Sequence, residues 1–159
     1  MVKKVILNIC DVYVSIEPAV LQTVLGSCVS VCLWDEKTRI GGMNHFLLPQ
    51  TSFGTEHHAC CGSESINDLV AEMLGTGADI HRLRAKLFGG GKLLRENSES
   101  LDIGKENIKA AKEMLKKYGI PVTKEFIEPG YGIKVVFYTA TGRAFVKKLE
   151  EIHTADDKY

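Results

Sequence analysis

Apolar and polar positions alternate in short runs over the first 50 residues. Residues 5–9, 12–16 and 21–25 are rich in β-branched side chains, and each run reads as a strand. The alternation is strongest over 29–34. Val29, Val31 and Leu33 fall on one face there, and Cys28, Ser30, Cys32 and Trp34 on the other. Residues 35–39 form a polar turn, and 41–48 are the returning strand, stopped by Pro49.

Beyond a polar loop over 50–62 the period changes. Ile66, Leu69, Val70, Met73 and Leu74 repeat with helical spacing, with Ser63 or Ser65 as the N-cap and Gly75 or Gly77 as the stop. Residues 84–88 read as a strand running into Gly89-Gly90-Gly91. A second helix is expected over 103–118, with Ile108, Ala111, Leu115 and Tyr118 on one face. Asp102 can cap it, Lys116 and Lys117 suit its negative end, and Gly119 ends it. Strands at 122–127, 133–138 and 143–149 follow, the last two as a hairpin about Ala140-Thr141-Gly142; the polar tail after Ile152 is expected to fray. Strands outnumber helices, so the fold class is α+β, a mixed β-sandwich with two main helices packed on one side. No repeat or linker divides the chain, which reads as one domain over 1–159.

Composition narrows the function classes. Lys plus Arg total 20 and Asp plus Glu total 20, so nothing favours nucleic acid or an anionic membrane surface as partner. No stretch approaches the ~18 consecutive apolar residues of a membrane span, so no membrane insertion is expected. The opening MVKKVILNICDVYV lacks the long apolar run and cleavage site of a secretion signal. A cytoplasmic protein is the expectation, and with it free thiols. Cys10, Cys28, Cys32, Cys60 and Cys61 are odd in number, so at least one is unpaired in a monomer.

The stretch from Leu25 to Pro49 carries the candidate chemistry. A two-residue turn at Glu36-Lys37 would pair residues whose numbers sum to 73, setting Cys28 opposite His45 with Cβ atoms about 4.5–5.5 Å apart. A one-residue change in that loop would slip the register. Thiol catalysis needs such a neighbour, because the imidazole takes the thiol proton and later protonates the leaving amine. Gly26 lets the backbone approach a ligand, and unpaired N–H groups of Gly26, Ser27 and Cys28 would bind an oxyanion. The plainer reading is a packing role: free Cys is often buried, and Cys28 and Cys32 share a face with Trp34. Spacing alone leaves both readings standing.

Two other motifs compete. EHHACC, residues 56–61, holds four potential zinc ligands, but adjacent side chains diverge and the spacing does not suit a metal. FGGGK, residues 88–92, fails as a phosphate loop: Lys86 stands where the first Gly belongs, and Leu93 follows Lys92. A tight turn, or close backbone approach beside the active site, accounts for it better. His81 and His153 read as surface residues, and Lys105, Lys109, Lys112, Lys116 and Lys117 as the wet side of the second helix.

TVLGSCVSVCLWD followed by GGMNHFLLP resembles the CheD family, the chemoreceptor glutamine deamidases of bacterial chemotaxis. The resemblance continues through AKLFGGGKLL and DIGKENIKAAKEMLKKYGI and covers roughly residues 5–149. It implies a cysteine hydrolase that turns selected receptor glutamines into glutamate. The family's nucleophile falls on Cys28 and its general base on His45. The third member of its triad falls on Thr23, with Gln22 the neighbouring alternative. No cofactor or metal is implied. The implied fold is an α/β/β sandwich like the catalytic domain of the deamidating cytotoxic necrotizing toxins. Implied partners are the chemotaxis receptors as substrate and a CheC-like phosphatase. The alternative function is a non-enzymatic regulatory module binding that phosphatase. The 56–61 loop departs from the tyrosine- and glycine-containing loop of the family.

Overall fold

The computed structural model describes residues 2–47, 60–92 and 102–149. The elements run β1 (Lys3–Ile6), β2 (Val12–Ser15), β3 (Ala19–Leu25), β4 (Val29–Asp35), β5 (Ile40–Asn44), α1 (Gly62–Gly75), β6 (Leu83–Gly89), α2 (Ile103–Tyr118), β7 (Val122–Ile127), β8 (Ile133–Tyr138) and β9 (Arg143–Lys148). They form two open sheets, a four-stranded one ordered β1-β3-β8-β9 and a five-stranded one ordered β2-β5-β4-β6-β7. Each is mixed, since β1 pairs with β3, and β6 with β7, in parallel.

Both helices lie against the five-stranded sheet, α1 over β2, β4 and β5, and α2 over β4 and β6. The other face of that sheet meets the four-stranded sheet. Two cores result, and the alternation of β4 divides between them. Val29, Val31 and Leu33 join the helix-side core with Ile66, Leu69 and Ile108. Cys28, Cys32 and Trp34 join the core between the sheets with Leu21, Leu25 and Phe137. The α+β sandwich with helices on one side therefore forms as its pattern implies.

The second helix has the expected bounds. The Asp102 side chain accepts the Lys105 N–H, Lys116 and Lys117 occupy the last turn, and Gly119 closes it at φ 70°. The first helix starts differently. Its N-cap residue is Cys61, without a side-chain cap, and Ser65 lies buried inside the helix. Leu74 is 41% exposed, so the apolar stripe ends at Met73.

Three expectations are corrected. The first strand is Lys3–Ile6 rather than 5–9, because the chain turns at once: the Asn8 N–H donates to the Asp11 carboxylate, and Cys10 sits at φ 76°. The β4–β5 hairpin has numbers summing to 75, with Asp35 opposite Ile40 and Cys32 opposite Met43. Its turn has four residues, 36–39, because the Asp35 carboxylate gathers the Lys37 and Thr38 N–H groups and Arg39 adopts φ 60°. A shift of two keeps every side chain on its face but removes the direct Cys28–His45 pairing. Finally, Cys10 and Cys60 are joined by a disulfide, leaving Cys28, Cys32 and Cys61 free. The segment 45–47 brings the two together: Cys10 N–H donates to the His45 carbonyl, and Leu47 N–H to the Cys60 carbonyl.

No helix among the described residues is long and apolar enough to cross a membrane. Leu48, Pro49, His57, His58, His153 and the tail after Ile152 lie outside the described residues.

Candidate active site

Three chain segments approach one another: Thr23 on β3 bonds His45 in the run 45–47 beyond β5, and Val29, next after the connection 26–28 with Cys28, bridges Phe46 of that run. On β3 the inward row is Ala19, Leu21, Thr23 and Leu25, all buried, while Gln22 alternates to the other face. Thr23 is therefore a hydroxyl in an apolar row, and it must find partners there. Its Oγ1 lies 2.8 Å from the Leu7 carbonyl oxygen and 2.7 Å from His45 Nδ1. A carbonyl only accepts, so the single Thr23 O–H donates to Leu7. The Thr23 oxygen then accepts from a protonated His45 Nδ1. That chain sets the tautomer and leaves the lone pair on Nε2. Nε2 is buried and has no hydrogen-bond partner among the described residues.

Burial pushes the His45 imidazole below its ordinary pKa of 6.5, against the opposing pull of the Asp11 carboxylate and the Leu7 carbonyl. The ring is neutral at neutral pH. Cys28 is half-buried and free. Burial raises its thiol pKa, and its own backbone N–H works in the other direction. The two groups rest as thiol and imidazole, not as an ion pair.

Their placement follows from one bridge. Val29 and Phe46 exchange two backbone hydrogen bonds of 3.0 Å, and both side chains enter the helix-side core. Cys28 and His45 flank that bridge on the opposite face as diagonal neighbours, a relation that spans roughly 7–8 Å between Cα atoms. Cys32, two positions further along, is 1% exposed, and burial drives its thiol pKa far up. One strand face thus carries two thiols, one at the rim and one sealed in packing.

The connection 26–28 is held from behind. Gly91 N–H donates to the Gly26 carbonyl and Gly90 N–H to the Cys28 carbonyl, each at 2.9 Å. The Asn107 side chain on α2 donates to the Ser27 carbonyl at 3.0 Å. The N–H groups of Gly26, Ser27 and Cys28 donate to no described residue. FGGGK is thus a close-approach turn. Gly89 sits at φ 100°, and a Cβ there would run into the Cys28 carbonyl oxygen.

Thr23, Cys28 and His45 thus gather at one end of the sandwich, with Gly26 and Ser27 bordering Cys28. The sequence reading missed Asn44 and Asn107. Asn44 Oδ1 accepts the Val31 N–H at 2.7 Å and fills the gap in the ladder after the Val29–Phe46 bridge. Asn107 is fully buried in line with Ala111 and Leu115. A polar residue inside an apolar helical stripe was the available signal.

A family model described as CheD chemotactic sensory transduction matches residues 47–148. Three curated proteins named probable chemoreceptor glutamine deamidase are similar over most of the chain. The Laribacter hongkongensis protein is 41% identical over 137 residues, 84% of this chain and 66% of its own length. That of Rhodospirillum rubrum is 40% identical over 144 residues, 91% of this chain and 81% of the relative. One from Dechloromonas aromatica is 39% identical over 133 residues, 81% of this chain and 67% of the relative. This chain thus spans about two thirds of the length of the first and third relatives. The Rhodospirillum match leaves so little of the chain uncovered that Thr23, Cys28 and His45 all fall within it.

Proposed function

The chain belongs to the CheD family, and from that premise we propose that it is a cysteine hydrolase deamidating glutamines of chemotaxis receptors. In this reading Cys28 is the nucleophile, His45 the general base and acid, and Thr23 the residue that orients the imidazole. Backbone N–H groups around Gly26, Ser27 and Cys28 hold the oxyanion. Residues 1–159 act as one deamidase domain, in the cytoplasm where the receptors present their signalling helices.

The thiol proton of Cys28 passes to His45 Nε2 as sulfur bonds to the side-chain carboxamide carbon. The carbonyl electrons move onto oxygen, where N–H groups stabilise them. His45 returns the proton to nitrogen, the C–N bond breaks, and ammonia leaves a thioester. Water then attacks that carbon, giving a proton to His45. The C–S bond breaks, sulfur recovers the proton, and glutamate is released. Thiol and imidazole between them supply the nucleophile and every proton transfer, so the cycle calls on no cofactor.

The observation that carries this reading is the Leu7–Thr23–His45 chain, which presents a buried, unpartnered Nε2 lone pair on the face that carries Cys28. Most buried side-chain polar atoms have a partner, so packing alone does not call for an open ring nitrogen on this face. The order of layers, helices over one sheet over the other, also supports kinship with the catalytic domain of the deamidating cytotoxic necrotizing toxins.

The test is mass spectrometry of the organism's own receptor fragments after incubation with the protein. Amide-to-acid conversion at discrete glutamines, absent with Cys28→Ala, is the expected result. Conversion by Cys28→Ala would overturn the mechanism. A wild-type protein that deamidates nothing yet binds a CheC-like phosphatase would instead make the chain a regulatory module.

A further inference from the structure

α2 carries a residue whose cost in stability has no return in packing. Asn107 is fully buried, and its Oδ1 has no hydrogen-bond partner among the described residues. An unsatisfied buried carbonyl is expensive, and Asn is a poorer helix former than Leu, which would fill the same apolar stripe. Its amide orientation is not interchangeable, because the Ser27 carbonyl can only accept, so Nδ2 must face it. What Asn107 supplies is therefore one hydrogen bond, to the peptide that joins Ser27 to Cys28.

That peptide differs from its neighbours. The carbonyls of Gly26 and Cys28 are held by main-chain N–H groups of Gly91 and Gly90, which a side-chain substitution does not remove. Of these three carbonyls only that of Ser27 is held by a side chain among the described residues. No described peptide bond is cis, so the N–H of Cys28 points opposite to the Ser27 carbonyl, away from α2. It makes no bond to a described residue. It belongs to the residue that carries the thiol, and it favours the Cys28 thiolate. A carbonyl carbon attacked by Sγ would bring its oxygen to that donor.

We propose that Asn107 is a positioning residue: by holding the Ser27 carbonyl it aims the Cys28 N–H at the oxygen of the substrate carboxamide. The inference rests on the deamidase reading above and adds to it the donor and the side chain that sets it. Removing an oxyanion donor outright costs about 10²–10³-fold in kcat. Loosening one costs less, on the order of tenfold or more.

Two variants test it, with wild type and Cys28→Ala alongside. Asn107→Asp keeps the shape but turns an oxygen on the Ser27 carbonyl; Asn107→Leu removes both polar atoms and keeps the stripe apolar, so one variant folds even if the other does not. Three quantities are measured: kcat and KM for receptor deamidation, the rate of Cys28 alkylation by iodoacetamide, and inhibition by a peptide aldehyde derived from glutamine. Alkylation displaces iodide and forms no oxyanion. The aldehyde adds the thiol to its carbonyl and leaves an oxygen where the oxyanion would sit.

The expected result is a tenfold or larger loss of kcat and of aldehyde affinity in both variants, with KM and alkylation within about twofold of wild type. Wild-type kcat in a folded variant would overturn the proposal. So would parallel loss of alkylation and aldehyde affinity, which would mean a displaced thiol. Failure of wild type to deamidate, or success of Cys28→Ala, would overturn the deamidase reading instead, and the controls show that separately.

Discussion

The two ends of β4 treat buried polar groups in opposite ways. At its C-terminal end Asp35 is fully buried and fully engaged. It accepts from Arg82 Nε at 3.0 Å and Nη2 at 2.9 Å, from the Asp79 N–H at 3.0 Å, and from the Lys37 N–H at 3.0 Å. Although burial opposes ionisation, these bonds prevail and hold the carboxyl well below the usual carboxylate range. Near the other end His45 Nε2, Asn44 Nδ2, Asn107 Oδ1 and Ser30 Oγ are buried without partners among the described residues. Burial there keeps both the thiol and the imidazole uncharged. A saturated network fixes a turn and a register. An unsaturated one leaves polar atoms open, and in the proposed reaction the His45 lone pair is the one that takes the thiol proton.

The contrast can be broken at either end, and activity and stability should separate. Cys28→Ser should abolish receptor deamidation, by at least about 10³-fold on mass-spectrometric rates, with little change in unfolding midpoint because the side chain is half-buried. His45→Gln should lower kcat by about 10²–10⁴-fold, the range of a positioned acid–base group. Asp35→Ala should do the reverse. It strands the Asp79 and Lys37 N–H groups and should cost about 3 kcal/mol in urea unfolding, while the folded fraction deamidates at nearly the wild-type rate. Loss of deamidation in proportion to the folded fraction in Cys28→Ser, or a dead but stable Asp35→Ala, would erase the distinction.

Smaller effects sharpen it. Thr23→Val keeps the shape and removes the oxygen that accepts from Nδ1, so kcat should fall about tenfold, the scale of one hydrogen bond of ~1.4 kcal/mol. The acid limb of kcat/KM should fall below pH 6.5, because the imidazole of the folded protein is depressed. The same shift makes the smallest signal, in stability. A depressed base binds its proton more weakly when folded. Its contribution is complete above 6.5 and is lost as pH falls from there through the folded value. His45→Gln should flatten that part of the stability profile. Asp35, also depressed, loses its contribution only below 3.8, so the two ends of β4 titrate in separate windows.

Much of this was legible along the chain. The period-two alternation of 29–34 separated the two cores, because successive side chains on a strand must point to opposite faces. Asp102 and Gly119 bounded α2, because capping is local chemistry. The pairing of a thiol after Gly-Ser with a histidine on the returning strand was also visible, and so was the family. The exact opposition of Cys28 and His45 was not. It depended on turn length: the Asp35 carboxylate gathers the Lys37 and Thr38 N–H groups, and it is itself held by Asp79 and Arg82, 44 and 47 residues further along and just before β6. The disulfide likewise joins residues 50 apart, and no spacing rule announces it.

What the sequence determined by itself was therefore local: element types, faces, caps, and which residue kinds were present to do chemistry. What only the tertiary structure decided was which of them meet. Thr23 rather than Gln22 reaches His45, because strand parity turns one inward beside the Leu7 carbonyl and the other outward. Cys28 rather than Cys32 stays open, because one sits at the rim of the sandwich and the other under it. Asn107 joins the site from a helix 80 residues away. Hydrogen bonds and burial act over ångströms in space, and sequence distance does not measure that.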